Sequence, residues 1–191
     1  MNFGISWWNA HVVGKSWAAS KYYGGWPRFV TWCGAVMAAS GFTWCFTVVL
    51  AMIAGSGGWL EIQYVRGVME LGYTIVIIPI LGSGLGVWIH SLTEAWRRKD
   101  FPSMAVAGWN TFAQIHNTYE AVKTLPKVLS NLGELFSSGG GGDKDKAKAL
   151  MMVVALVVLA LAGGILLTVY IVRSAAKEEA SNVFAEMRAR A

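Results

Sequence analysis

The sequence predicts an all-α integral membrane protein with three transmembrane helices, an N-terminal interfacial helix and an amphipathic helical arm between the second and third spans. Three observations carry that prediction. Ala149–Val172 runs for 24 residues without a charge, between Lys148 and Arg173, and about 20 such residues in a helix cross the roughly 30 Å hydrocarbon core of a bilayer. Hydrophobic residues make up 55% of the chain and charged ones 14%, well under the quarter or so usual in soluble domains. Positive charge gathers beside the apolar stretches, most densely at Arg97-Arg98-Lys99, as expected at the flanks of membrane helices. The net charge of +5 therefore reads as topology. With no nucleic-acid-binding motif beside it, no nucleic-acid partner is expected.

Residues 1–28 form an aromatic-rich segment. Trp7, Trp8, Trp17 and Trp26 precede the first span and Trp32 lies just inside it, with Tyr22, Tyr23, Lys15, Lys21 and Arg28 among them. Rings with one polar edge favour the headgroup layer, where the ring is partly dry and its N–H or O–H is wet. This predicts a helix over 3–23 lying on the membrane and ending at Gly24-Gly25, ahead of Pro27. The same partition makes Trp59, Trp88 and Trp96 interface anchors at later boundaries. A base-stacking platform would need a basic groove that the segment lacks.

Residues 29–54 form the first span, interrupted by Thr31, Ser40, Thr43 and Thr47. Gly34, Ala38, Gly41 and Cys45 fall at i, i+4, i+7 and i+11. That puts four small side chains on one face, where helix backbones approach closely in lipid. Cys33 and Cys45 are twelve residues apart, about 18 Å along a helix axis, and so cannot bridge each other; both read as small buried hydrophobes. A signal peptide with Thr43–Ala54 as its apolar core is the competing reading. The preceding stretch is too long for it, and no small-residue cleavage site follows.

A short loop occupies 55–70, opened by the helix-breaking Gly55–Gly58 and carrying Glu61, Arg66 and Glu70. The second span is 71–89, with Pro79 near its middle; proline removes a backbone donor and crowds the preceding turn, so a kink is expected. Gly82, Gly84 and Gly86 follow in ILGSGLG. The run lacks the lysine and the strand–turn–helix context of a phosphate loop. Gly82 and Gly86 instead make a GxxxG pair of the kind that joins spanning helices.

Residues 90–136 hold a basic loop and amphipathic helices. Asp100-Phe101-Pro102 reads as a turn, with Ser103 placed to cap a new helix. From Trp109, apolar residues recur at Phe112, Ile115, Tyr119, Val122, Leu125, Leu129, Leu132 and Leu135, opposed by Asn110, Gln114, Asn117, Glu120 and Lys123. Steps of three and four make one apolar stripe, which Pro126 is expected to break or bend into two pieces. The segment is expected to be too polar to cross the bilayer, with its stripe still to be buried. Its stripe is expected to lie flat on the membrane or against a partner helix, and the sequence leaves both open. A Gly-rich linker, 137–148, joins it to the last span, 149–172, where Ala160 and Gly164 form a second small pair. A helical polar tail follows at 173–191.

Lysine and arginine number three ahead of the first span, one in the first loop, eight between the second and third spans and four in the tail. An N-terminus inside and a C-terminus outside a cytoplasmic-type membrane places eleven on the retained side against five. Finding the 97–148 loop on the face of Trp59 would overturn that arrangement.

Ionisable residues within spans mark function because lipid makes them costly, and none lies near the centre of the three predicted spans. His90 has Glu94 four residues on, which falls short of a metal site; His11 and His116 are isolated. No nucleophile–base grouping, HExxH or GxSxG occurs. The expectation is therefore no enzyme, with no catalytic, cofactor or metal residue assigned. Surfaces that want partners predict a structural or assembly subunit of a membrane-embedded complex, such as a secretion or conjugation apparatus or a virus-type envelope. Its partners would be the lipid bilayer, other membrane subunits and copies of itself. The alternative is an oligomeric, holin-like pore lined by Thr31, Ser40, Thr43 and Thr47, or a small transporter component. A coupled transporter usually carries paired repeats, and the Pro79–Gly86 segment has no second copy.

Overall fold

A helix satisfies every backbone hydrogen bond within its own segment, which is what a long apolar run in lipid requires. The computed structural model describes residues 3–20, 25–138 and 144–190, with side chains for 3–17, 25–137 and 144–182. Residues 139–143 of the glycine-rich linker lie outside the described residues. Five α-helices and no strand occur among them: α1 (Phe3–Ser20), α2 (Trp26–Ser56), α3 (Ile62–Arg98), α4 (Phe101–Ser138) and α5 (Lys144–Arg190). By length and composition, α2, α3 and the Lys144–Asn182 part of α5 can cross a membrane. The chain is thus an all-helical protein with three such helices.

Local sequence sets the helix ends. Pro27 sits in the first turn of α2, where its missing N–H costs nothing. At the far end Gly57 N–H donates to Ile53 O at 2.9 Å, and Gly58 takes φ 70°, a left-handed conformation that glycine adopts without a Cβ clash. Between α3 and α4 only two residues turn the chain: Lys99 adopts φ 54°, and its N–H donates to Ala95 O at 3.0 Å. Asp100 Oδ1 then accepts the Ser103 N–H at 2.8 Å. The cap of α4 is therefore Asp100, and the expected cap, Ser103, is already in the first turn. Two other boundaries differ from expectation. Residues 62–70, expected as loop, are the first turns of α3, and α4 runs unbroken through Pro126. Packing along a neighbouring helix overrides the local cost of the proline.

Side-chain contacts give the direction of each helix. Gly86 lies against Cys33 and Phe29, Gly72 against Thr47 and Gly55 against Val65, so α3 returns antiparallel to α2. Gly164 lies against Thr43 and Ala39, and Gly163 against the Phe46 ring. Val153 and Val157 share a core cluster with Ala51, Ala54, Tyr64 and Val68. Helix α5 is thus also antiparallel to α2, and its start sits at the α2–α3 connection. Helix α4 packs chiefly on α3, again antiparallel.

Helix α1 is helical as expected but does not lie flat across the others. Phe3 meets Phe42, and Trp17 meets Trp32 edge-on with ring centroids 5.0 Å apart. It runs beside the first half of α2, in a groove completed by α5, where Ala10 and Val13 pack with Ala38, Phe42, Ile171 and Val172. Gly14 faces Ala175 and Val172 at a separation where a Cβ would clash. The start of α2, the α3–α4 turn and the end of α5 therefore share one end of the bundle. The α2–α3 connection, the end of α4 and the start of α5 share the other.

Candidate functional site

The seam between α3 and α4 holds most of the bundle's long-range polar contacts. The side of α4 that faces α3 carries small and polar residues, including Ala107, Asn110, Thr111, Gln114, Asn117, Ala121 and Asn131, with the larger apolar Val128, Leu132 and Leu135 toward its end; the two alanines, Val128 and Leu132 are buried. Trp88 Nε1–H donates to Thr111 Oγ1 at 2.8 Å, and that hydroxyl donates to Ala107 O at 2.7 Å. Gln114 Nε2 donates to Leu81 O at 3.3 Å, admitted by the bare backbone of Gly84; Leu135 seats against Gly67. Asn131 Nδ2 and Arg66 Nε both donate to Glu70 Oε1 at 2.8 Å. Bonds to a charged acceptor are the stronger kind, worth about 1.5–3 kcal/mol each.

These contacts extend from Thr111 to Leu135, 24 residues or about 36 Å of helix. Shallow grooves flank the seam at its two ends. One is lined by Ile62, Gln63, Arg66, Glu70, Asn131 and Glu134, the other by Pro27, His90, Glu94, Arg97, Ser103 and Asn110. In the second, Glu94 accepts from Arg97 Nη2 at 2.7 Å and from Arg98 Nε at 2.9 Å. Its carboxylate is thus held by the basic end of α3, and the expected His90–Glu94 pair is not formed. At the turn, the Ser103 N–H holds the Asp100 carboxyl below its ordinary range, with Arg98 adding to the effect.

The outer side of α4 divides into two strips. One is apolar, with Phe112, Ile115, Tyr119, Val122 and Leu129 all half or more exposed. The other is polar: His116, Lys123, Lys127 and Glu134 are exposed, with Glu120 half-buried. His116 stacks on Phe112 at 6.0 Å between ring centroids, and Lys123 Nζ sits 5.8 Å from the Tyr119 ring centre. Glu120, Lys123 and Lys127 lie between the Gln114–Leu81 and Asn131–Glu70 contacts. They are therefore level with the apolar interior of α3, Glu120 and Lys123 nearer its middle and Lys127 one turn from the Asn131–Glu70 end.

The small residues singled out in the sequence go to several different contacts. Gly34 faces Val13 of α1, Ala38 is fully buried among α1 and α5 residues, and Gly41 is buried. Ala160 is fully buried and Gly164 touches α2. The GxxxG pair splits: Gly86 meets α2, whereas Gly82 has nothing within 4 Å of where its Cβ would be. Helix α3 continues through Pro79, whose carbonyl accepts the Ser83 hydroxyl at 2.5 Å. Ser40, Thr43 and Thr47 are buried between helices and line neither groove, and Thr31 is half-buried with its hydroxyl donating to Pro27 O at 3.0 Å.

Among the tryptophans, Trp17, Trp26, Trp59 and Trp96 sit at bundle ends, and Trp96 is 82% exposed. Trp88 is in the seam. Trp7 and Trp8 lie on α1 between the Phe3–Phe42 and Val13–Gly34 contacts, level with the interior of α2. Sequence reasoning missed the contacts of Gly67, Gly72 and Gly84, which are irregularly spaced and between them face α2, α4 and α5. The Asn131–Glu70 bond was missed as well; a polar residue at each end of an apolar run was its only trace.

No group of three histidine, cysteine, aspartate or glutamate side chains converges on a metal-sized site among the described residues. The seam binds helices together; its groups are committed to one another. Set against protein-family models, curated proteins and solved structures, the chain matches none.

Proposed function

We propose that the chain is a structural subunit of a membrane-embedded assembly, with no catalysis of its own. The observation that carries this reading is the polar strip of α4. Lys123 and Lys127 are exposed on the isolated chain, level with the apolar interior of α3, Lys123 the deeper of the two. A charge at bilayer centre costs about 2.5–3.5 kcal/mol or more. Such a strip is sustained by protein or water against it, and another subunit supplies the first. Extraction in mild detergent followed by native mass measurement tests this. The expected result is a species well above the 20.7 kDa chain, dissociated by Lys127→Glu. A monomer in lipid nanodiscs, unchanged by Lys127→Glu, would refute it.

The same strip favours one second reading. Copies arranged with these polar strips inward would line a pore with α4 in place of the threonines of α2. Expression that collapses membrane potential, abolished by Lys123→Leu with Lys127→Leu, would select the pore; a normal potential at high expression would select the scaffold.

A further inference from the structure

We propose that α4 crosses the bilayer as a fourth span, with its outer Phe112, Ile115, Tyr119, Val122, Leu129 and Phe136 against lipid acyl chains. The start of α2 and the end of α5 would then lie on the same face of the membrane. The reading needs only that α3 crosses, and the subunit reading shares its placement of α4 at bilayer depth.

Length and direction carry the argument. Helix α4 stays in contact with α3 from Thr111, which meets Trp88, to Leu135, which meets Gly67. A helix held to a membrane-crossing neighbour over about 36 Å cannot lie in the plane of a roughly 30 Å core; it crosses with that neighbour. Its outer apolar residues also continue a band already present on the other helices. Ile78 on α3 and Val158, Leu159 and Leu166 on α5 are 57–69% exposed. In water so large an apolar surface would be a liability, whereas in a bilayer acyl chains cover it.

The direction of α5 is an independent observation. A three-span chain with α4 left on one surface requires α5 to run parallel to α2. The contacts of Gly164 with Thr43, and of Val153 with Ala54, make it antiparallel. A fourth crossing restores that direction. Charge fits as well. By sequence segment, Lys15, Lys21 and Arg28, then Arg97, Arg98 and Lys99, then the four positive residues of the tail all fall to one side. Only Arg66, Lys144, Lys146 and Lys148 fall to the other, with Lys123 and Lys127 inside α4. Ten against four retains the bias toward one face. It also brings the basic tail over to the retained side, where the three-span arrangement left it outside.

Single cysteines in a Cys33→Ala, Cys45→Ala background test the proposal in sealed right-side-out and inverted vesicles, with a membrane-impermeant maleimide. Ser56→Cys, Arg98→Cys, Ser137→Cys and Ser181→Cys all probe exposed positions. Ser56 and Ser137 are expected to label from one face, and Arg98 and Ser181 only from the other. Ser137 labelling from the Arg98 face, or equally from both faces, would overturn the fourth span. A spin label at Val122→Cys adds a lipid readout: oxygen collisions should exceed those of a water-soluble nickel chelate, and the reverse order would count against acyl-chain contact. Neither readout depends on oligomeric mass. A monomer that labels in this pattern would refute the subunit reading alone, whereas Ser137 on the Arg98 face would also remove the depth of Lys123 and Lys127 on which that reading rests.

Discussion

Two glycine-to-alanine substitutions should shift stability in opposite directions, and the structure gives the size of each. At Gly164 an added Cβ would fall 2.7 Å from the Thr43 backbone N and 2.9 Å from Ala39 O, whereas ordinary contacts begin near 3.4 Å. The backbones of α2 and α5 must part by about 0.5–1 Å. Overpacking of that kind costs about 1–3 kcal/mol, and a gap of that size forfeits about a quarter to a half of each neighbouring dispersion contact. Alanine's helical advantage over glycine, about 0.5–1 kcal/mol, offsets only part of it. At Gly82 nothing lies within 4 Å, so the advantage stands alone. Gly164→Ala should therefore be less stable than Gly82→Ala by about 1–3 kcal/mol, roughly a 5- to 150-fold change in the unfolding equilibrium. Unfolding in mixed micelles of rising dodecyl sulfate content, followed by tryptophan fluorescence, measures the difference. Gly164→Ala as stable as Gly82→Ala would refute the close approach of α2 and α5.

Further predictions concern the seam and the turn. Asn131→Leu removes a donor from the largely buried Glu70 carboxylate and should lower stability by about 1.5–3 kcal/mol, read in the same micelle titration; Asn117→Leu, on the same helix but with no comparable charged partner shown, should lower it less. Asp100 has a folded-state pKa below its unfolded one. Its contribution is therefore present above the unfolded value and is lost as pH falls through the folded value. A plot of stability against pH should lose that acid-side decline in Asp100→Asn, and an unchanged profile would remove Asp100 as the cap of α4.

How much of this could be read from the sequence depended on which solvent each residue meets. The three apolar helices were legible because composition alone decides them, as in the uncharged run from Ala149 to Val172. The capping of α4 was off by three residues because Asp100 and Ser103 are both good caps, and only the observed hydrogen bond chooses between them. The GxxxG pair was read as one contact, yet only Gly86 is used. The spacing does not say which neighbour a small residue will meet, and Gly72 and Gly67 meet different ones. Helix α1 has the aromatic content of an interface helix, but four of its small or short residues, Ser6, Ala10, Val13 and Gly14, are buried against its neighbours. That burial pattern needs the partner helices to be known.

The arm shows most clearly why the remainder was hidden. Its apolar stripe, with Phe112, Ile115, Tyr119 and Val122, reads from the sequence as a side laid flat on the membrane or against a partner helix, and the rule for water would choose the partner. In the structure Phe112, Ile115, Tyr119, Val122 and Leu129 point outward and Thr111, Gln114 and Asn131 point in to meet Trp88, Leu81 and Glu70, while the end of the stripe, Leu132 and Leu135, turns inward. In lipid this inversion is expected. Acyl chains are as apolar as leucine, so apolar residues gain nothing by turning inward, whereas a polar group facing hydrocarbon is left unsatisfied. The periodicity that marks an amphipathic helix is the same in either solvent; only the assignment of its faces reverses. The orientation of α4 therefore bears on where α4 sits. A helix placed in water with this orientation would expose ten large apolar side chains while turning Gln114 and Asn131 inward, and a helix within the bilayer has reason to do both.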